Sequence, residues 1–320
     1  MISRCGCRRQ DVQPSARIAA RRGSRTSNPM PYSPRRQPTL ATLDVRGLRF
    51  QLYRWPGERA QPLVFLHGWG DSGATYQFVV DHLSPRHSVV AFDARGFGRT
   101  EWPQDGYWFP DYLADLEAIL DALELHDPID LVGHSMGGNV AMLYAGVRQQ
   151  RVRRLINLEG FGLQPTTPDQ APERYRDWLD DLKSGSDFAT YDTLQQLMKV
   201  LKRRNPRTPV DRLEFVARSW ARERDDGRIE LRNDPKHRRV NPVLYQRAQA
   251  EACWRAITAP ALVVIGEASE PGRRFLEASA AEQFARDFPS LSVKTLAHAG
   301  HMLHHEQPEH VAELIEEFLR

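Results

Sequence analysis

Short runs of consecutive apolar residues alternate with amphipathic segments along most of this chain. Unbroken apolar runs at residues 62–66 and 261–265 predict strands that are buried on both faces, and residues 129–132 predict another strand that leads into a glycine-rich turn. Residues 112–125 and 308–319 carry apolar side chains at i, i+3 and i+4 spacing, which predicts helices with one buried face. Strands that alternate with helices are typical of an α/β fold, so we predict a mostly parallel sheet flanked by helices.

The same two patterns predict the remaining elements of the sheet and its helical layers. Further strands are predicted at residues 48–55, 87–92, 152–158 and 291–296, and further helices at residues 73–83, 139–147 and 275–288. These elements and those above predict a single core built from residues 39–160 and 256–320.

One interval, residues 161–255, does not follow the alternation. It shows no convincing strand and is rich in mixed charges, with helical patterns at residues 172–182, 191–201 and 212–222. We predict that these residues form an inserted all-helical cap over the open edge of the sheet. The charge run at residues 222–228 is interpreted as a solvated face rather than a binding patch.

Residues 1–38 differ in composition from the rest of the chain. They carry nine arginines, no lysine and one acid, Asp11, which gives +8, whereas the other 282 residues sum to −5. The segment is rich in proline and poor in large apolar residues, so we predict that it is disordered. Cys5 and Cys7 alone offer too few ligands for a metal ion.

The origin of this segment has two interpretations. An arginine-rich, acid-poor start resembles an organelle transit peptide, but we favour translation from Met30, with residues 1–29 upstream of the true start. A native protein whose mass begins at Met1 would contradict that interpretation. Because the segment lacks the apolar stretch of a secretory signal, we expect a cytoplasmic protein.

The overall composition excludes several classes of protein. Hydrophobic residues make up 41% and charged residues 27%, and no apolar run approaches the roughly 18 residues of a membrane span. Three cysteines cannot form a disulfide framework for 320 residues. The net charge of +3 comes from residues 1–38, and the body has no basic stripe interleaved with aromatics, so we expect no nucleic-acid partner. No cofactor or metal motif is found, and we expect neither.

The strongest candidate for chemistry is Ser135, in the motif Gly133-His134-Ser135-Met136-Gly137. The motif follows a predicted strand and precedes a predicted helix. A sharp turn at such a junction exposes the serine hydroxyl, and the glycines allow the strand and the helix to pass closely. The helix N-terminus then offers backbone N–H groups to a developing oxyanion. We therefore predict a nucleophilic serine.

A serine hydroxyl is a weak nucleophile and needs a base that is oriented by an acid. His301 follows the last predicted strand, so it should lie at the same sheet edge as Ser135. We predict that His301 is the base. His298, His301 and His304 together resemble a metal cluster, but no matching motif or acid accompanies them. We interpret the flanking residues, His298, His304 and His305, as loop and surface histidines.

Four motifs, met in order along the chain, resemble those of α/β-hydrolase-fold proteins. They are residues 67–70 (HGWG), 93–100 (DARGFGRT), 133–138 (GHSMGG) and 300–308 (GHMLHHEQP). The resemblance covers about residue 47 to residue 320 and implies the chain order Ser…Asp/Glu…His, with Ser135 as nucleophile and His301 as base. It also implies an oxyanion hole from the backbone N–H groups of Trp69 and Met136, and a supporting role for His67.

The acid departs from the commonest pattern of that family. Most relatives carry an Asp shortly after the strand equivalent to residues 261–265, where this chain has Ser269, with Glu267 and Glu270 on either side. Some relatives place the acid one strand earlier, and here Glu159 directly follows the predicted strand 152–158. We favour Glu159, then Glu270, then Glu267. An alternative role for Glu159 is to cap the first helix of the cap.

A serine nucleophile favours acyl chemistry over the Asp-based attack of dehalogenases and epoxide hydrolases. We predict a carboxylesterase-like serine hydrolase that acts through an acyl-enzyme on a small to medium, mainly apolar acyl substrate. C–C bond hydrolases, thioesterases and acyltransferases of the same fold are alternatives. A non-catalytic ligand-binding protein of this fold is a further alternative, which an active-site phosphonate would distinguish.

Overall fold

The computed structural model describes residues 31–184, 187–277 and 291–320. In these ranges the strands are β1 (Thr39–Val45), β2 (Leu48–Trp55), β3 (Leu63–Leu66), β4 (Val89–Phe92), β5 (Ile129–His134), β6 (Val152–Leu158), β7 (Ala221–Glu223), β8 (Ile229–Leu231), β9 (Ala261–Gly266) and β10 (Leu291–Leu296). The helices are α1 (Gln77–Val80), α2 (Pro110–Ala122), α3 (Met136–Val147), α4 (Ala171–Ser184), α5 (Leu194–Arg204), α6 (Val210–Trp220), α7 (Arg247–Arg255), α8 (Glu270–Glu277), α9 (Leu303–Glu306) and α10 (Pro308–Leu319).

Eight of the strands form one sheet in the order β1-β2-β4-β3-β5-β6-β9-β10. Strand β2 is antiparallel to β1 and β4, and every other pair of neighbours is parallel. The predicted mostly parallel sheet is confirmed. Because β5, β6, β9 and β10 are parallel, the loops that follow them emerge at one edge.

Two apolar layers cover the two faces of the sheet. Successive residues of β5 point to opposite layers: Leu131 packs with Leu116 of α2 and Val140 of α3, whereas Val132 packs with Ile315 of α10. All five side chains are buried. This alternation explains the continuous apolar runs, since a strand covered on both faces has no polar side.

Residues 161–255, which we predicted as a cap and call the cap below, lie at the edge where the parallel strands end. Its residues hydrogen-bond to loops that follow β3, β4 and β10: Trp220 to Asp71, Asp234 to the Gly96 carbonyl, and Arg212 to the His305 carbonyl. Helices α5 and α6 pack together through Leu197, Leu201 and Leu213 around Phe78 of the core. The helices that the structure describes in the cap are α4, α5, α6 and α7.

The prediction that the cap is all-helical is wrong in one element. Strands β7 and β8 pair as an antiparallel hairpin, and helix α6 ends at Trp220 rather than at residue 222. The charged residues that we interpreted as a solvated face include the tip of this hairpin, where Gly227 adopts a φ of 78°. The Asp226-Gly227 pair is a hairpin signal that the charge run concealed.

Two further differences concern the start of the described chain. Strand β1 was not predicted as an element, because its residues are mostly exposed at the sheet edge. Residues 31–38, which we predicted as part of a disordered tail, contact both the core and the cap: the Tyr32 ring lies 4.7 Å from Phe78 and 5.4 Å from Phe215, centroid to centroid. The backbone N–H groups of Arg35 and Arg36 both donate to Asp81.

The rest of the predicted tail, residues 1–30, lies outside the described residues, as does most of the predicted helix 275–288 beyond Glu277. Among the helices that the structure describes, none is long and apolar enough to cross a membrane.

Candidate active site

Ser135 occupies the turn between β5 and α3. Its backbone has a φ of 51° and a ψ of −113°, a left-handed conformation that is strained for a residue with a side chain. The backbone approaches closely at this turn, and a Cβ on Gly133 would lie only 2.3 Å from the carbonyl oxygen of Gly137. The glycines of the motif therefore permit the close approach that the sequence predicted, and the Ser135 side chain projects from the turn at the sheet edge.

Three side chains from three loops form one hydrogen-bonded chain. His301 follows β10, and its Nε2 lies 3.0 Å from Ser135 Oγ. Its Nδ1 lies 3.0 Å from Glu159 Oε2, at the end of β6. A carboxylate can only accept, so Nδ1 carries the proton and Nε2 has a free lone pair for the serine hydroxyl. The order of parallel strands in the sheet brings these distant residues together.

Glu159 is buried, with 2% of its surface exposed, and its carboxylate is well supplied with donors. Oε1 accepts from the backbone N–H of Gly266 at 2.6 Å, and Oε2 accepts from the Ser269 hydroxyl as well as from His301. A φ of 63° at Glu159 turns the side chain inward. These donors offset the cost of burying the charge.

The two alternative acids do not reach His301 in the described structure. Glu267 accepts from the backbone N–H of His298 at 2.9 Å, and its side chain is 58% exposed. Glu270 forms an exposed ion pair with Arg274, one turn along α8. The structure therefore brings Glu159 together with His301 and leaves Glu267 and Glu270 at the surface.

The two predicted oxyanion donors belong to segments that adjoin Ser135. Met136 is the first residue of α3, so its N–H has no intrahelical partner. Trp69 follows Gly68, whose hypothetical Cβ would lie 3.2 Å from the Cβ of Ser135. His67 holds this loop: its Nδ1 is 2.7 Å from the Gly68 carbonyl oxygen, and its Nε2 accepts from the Ala94 N–H at 2.8 Å.

His134 is a site residue that the sequence analysis missed. Its Nε2 lies 2.8 Å from the backbone carbonyl oxygen of His301, to which it donates. Burial, followed by the nearby His304 and His301, lowers the pKa of His134 well below its usual value, so the ring is neutral. This contact ties the serine's strand to the loop of His301. The only sequence signal is its position beside the serine.

Ser269 was noted in the sequence only as a missing acid, yet its hydroxyl contacts Glu159. The interpretation of His304 and His305 as loop or surface residues is wrong. Both lie in α9 beneath the cap and are buried, whereas His298 is exposed. Their burial follows from packing against α1 and the cap, which a local pattern of four residues cannot reveal.

Comparison with known proteins gives the family. A family model described as alpha/beta hydrolase fold matches residues 61–308. The chain belongs to this family. The alpha/beta hydrolase is 26% identical over 259 residues, 80% of its length and 87% of the relative's, to a 2-(acetamidomethylene)succinate hydrolase of Mesorhizobium japonicum. It is also 29% identical over 196 residues to a serine hydrolase-like protein of Danio rerio.

The second match spans 56% of this alpha/beta hydrolase and 59% of the Danio rerio protein, less than two thirds of that relative's length. Among solved structures, a thioesterase domain from a curacin biosynthetic pathway superposes with a TM-score of 0.75 at 24% identity, over 87% of this chain and 99% of that one. At that identity the likeness concerns the fold alone. The two named relatives carry hydrolase names, which agrees with a hydrolase in general terms.

Proposed function

We propose that this protein is a serine hydrolase that cleaves an ester or related acyl bond, with Ser135 as nucleophile, His301 as general base and Glu159 as the acid that orients it. One observation carries the proposal: the continuous hydrogen-bonded chain from Ser135 Oγ through His301 to Glu159, with both His301 distances at 3.0 Å. A serine hydroxyl that is hydrogen-bonded to a histidine, which an acid orients in turn, can pass its proton to that histidine.

In the first half-reaction, His301 Nε2 takes the proton of Ser135 as Oγ attacks the substrate carbonyl. The negative charge that develops on the carbonyl oxygen is held by the N–H groups of Trp69 and Met136. Loss of one such donor typically costs about 10²–10³ in turnover. Protonated His301 then gives its proton to the leaving alcohol, which leaves an acyl group on Ser135.

In the second half-reaction, His301 deprotonates a water molecule that attacks the acyl-enzyme, and Ser135 is regenerated. Glu159 stays ionised throughout and stabilises the imidazolium form of His301. Its three donors, from Gly266, Ser269 and His301, suit a carboxylate that must remain charged in a buried place.

The substrate class rests on the apolar surroundings of the serine. Trp69, 53% exposed, presents its indole beside the Ser135 turn, edge-on to Phe97 at 6.2 Å between centroids. Met136, next to Ser135 in the chain, is partly buried and packs against the apolar core. Together with the cap above this edge, they favour a small to medium, mainly apolar acyl group.

The test is labelling with a fluorophosphonate, followed by peptide mass spectrometry. We expect one covalent adduct on Ser135 in the unmodified protein and none in Ser135→Ala. Ser184→Ala, at the exposed end of α4, is the matched control and should label normally. A folded protein that forms no adduct would contradict the proposal and favour a non-catalytic binder.

A substrate panel then separates the chemical alternatives. C–C bond cleavage and thioester cleavage are the second candidates. The Mesorhizobium japonicum relative is a hydrolase of 2-(acetamidomethylene)succinate, and one of the fold neighbours is a thioesterase domain. We expect short-chain aryl esters to be cleaved with a higher kcat/KM than thioesters or vinylogous diketones. If thioesters or vinylogous diketones gave the higher kcat/KM, the proposed triad would stand and the proposed bond would change.

A further inference from the structure

A second cluster of reactive side chains lies beneath the cap, apart from the proposed triad. Asp71 belongs to the loop after β3, and His304 and His305 are neighbours in α9. None of the three exposes more than 1% of its surface. The mechanism proposed above uses none of them. A buried carboxylate with two buried imidazoles therefore needs its own explanation.

Both imidazoles direct Nε2 at the same carboxylate oxygen. His304 Nε2 lies 3.0 Å from Asp71 Oδ2, and His305 Nε2 lies 3.4 Å from it. The first contact is a hydrogen bond, but within the described residues His305 Nε2 has no hydrogen-bond partner, and neither does His304 Nδ1. Unpartnered buried polar atoms are costly, and one atom placed between the three residues would satisfy the unpartnered Nε2.

The other carboxylate oxygen of Asp71 is held from two sides. Oδ1 accepts from the Thr75 hydroxyl at 2.8 Å and from the Trp220 indole N–H at 2.7 Å. These contacts point Oδ2 at the two histidines and fix the orientation of the carboxylate. Such outer hydrogen bonds are typical of carboxylates that bind metal ions.

We propose that Asp71, His304 and His305 form a binding site for a divalent transition metal ion of the zinc class. Their ligand atoms lie within 4.8 Å of one another. Tetrahedral bonds of about 2.0–2.1 Å place ligand atoms roughly 3.3–3.4 Å apart, close to the 3.0 Å and 3.4 Å contacts with Oδ2. Two imidazoles favour zinc, cobalt or nickel over calcium and magnesium, which prefer oxygen ligands.

The position of the site links it to the cap. Trp220 at the end of α6 covers Asp71 from the cap side, and Arg212 of the same helix donates to the His305 carbonyl. Because α6 covers the cluster on this side and all three side chains are buried, we expect a metal ion to bind slowly. The indole of Trp220, hydrogen-bonded to a ligand carboxylate, should report the ion by quenching of its fluorescence.

The experiment is titration of the tag-free full chain with Co²⁺ and Zn²⁺, followed by calorimetry and visible absorption. Cys5 and Cys7 are replaced by serine in every sample, since their thiols could bind metal independently. We expect one high-affinity ion per chain and the intense visible bands of tetrahedral Co²⁺. Asp71→Asn should weaken binding by at least about 100-fold, whereas His298→Asn, a change to an exposed histidine, should leave it unchanged.

Two measurements keep the proposal testable if Asp71→Asn does not fold. The chain that carries only the Cys5 and Cys7 replacements should show the Co²⁺ bands and a higher Tm with Zn²⁺, reversed by chelation. Trp220→Phe keeps a ring but loses the indole donor, and it should weaken binding about 10–100-fold. Absence of stoichiometric uptake, or equal uptake by folded Asp71→Asn, would overturn the proposal. Labelling of Ser135 is measured on the unmutated chain without added metal, so a failed metal titration leaves the proposed function open to its own test.

Discussion

The loops after β6 and β9 both begin with a glutamate, but the two glutamates lie in different environments. The two strands are parallel neighbours, with Leu158 paired to Val264, and each is followed closely by a glutamate. Glu159 is buried against His301, whereas Glu267 has a side chain that is 58% exposed. The same residue type at adjacent strand ends thus occupies an interior site in one loop and the surface in the other.

Backbone geometry explains the difference. The N–H of Glu159 still bonds to the Val264 carbonyl at 3.0 Å, and its positive φ turns the side chain into the sheet edge. The N–H of Glu267 bonds instead to the Leu296 carbonyl of β10, and its side chain turns out toward His298. The end of β9 and the loop after it contribute one N–H group, from Gly266, and the Ser269 hydroxyl to the Glu159 carboxylate. The β6 loop therefore supplies the charged group, and the β9 loop supplies hydrogen-bond donors to it.

The largest expected effect separates the two loops directly. Glu159→Gln keeps an oxygen for the Gly266 N–H but places an amide opposite His301 Nδ1, where two donors would face each other. We expect kcat for ester hydrolysis to fall about 10⁴-fold, as when an orienting acid is neutralised. Glu270→Gln, its matched control on the exposed side of the β9 loop, should change kcat less than twofold.

Circular dichroism and Tm must show that both variants are folded. A loss of turnover that is much larger in Glu270→Gln would reverse the assignment of the acid.

A relocation experiment tests whether the two loops are interchangeable. Ser269 Oγ already hydrogen-bonds Glu159 Oε2, the oxygen that faces His301. In a Glu159→Ala background, Ser269→Asp should place a carboxylate near the same point and recover kcat by about 100-fold over Glu159→Ala alone. Ser269→Asn in that background is the uncharged control. No recovery in a folded double variant would mean that only the β6 loop can orient His301.

Removal of the Ser269 hydroxyl should have a smaller effect. Ser269→Ala takes one donor from the Glu159 carboxylate, and a hydrogen bond to a charged group contributes about 1.5–3 kcal/mol, of which only part bears on the reaction. We expect kcat to fall about tenfold and KM to change little. An unchanged kcat would limit Ser269 to a packing role.

The smallest effect is expected on the exposed side of the β9 loop. Glu270 and Arg274 form an i,i+4 pair in which each side chain is 66% exposed. Arg274→Ala should lower the free energy of unfolding by no more than about 0.5 kcal/mol in urea, because exposed helix pairs are weak. Ester turnover should not change. A large loss of activity would show that this side of the loop contributes to the site.

Much of the fold could be predicted because its patterns are local. Strand β6 and helix α10 have the predicted bounds. The patterns that predict a strand or an amphipathic helix lie within a few neighbouring residues of the chain. The Ser135 turn was likewise predicted, because its glycines and its place between a strand and a helix are local signals. Strand β1 and the β7–β8 hairpin were missed, because edge and cap strands have no buried run to mark them.

The amino-acid sequence by itself determined the fold class, the position of Ser135 and His301, and three candidates for the acid. The tertiary structure alone decided which of those glutamates faces His301, because that choice depends on the pairing of β6 with β9 and on one left-handed residue. It alone also revealed His134 against the His301 carbonyl, and Asp71 against His304 and His305. Contacts between residues more than 160 positions apart leave no pattern in neighbouring residues, and only the folded chain brings them together.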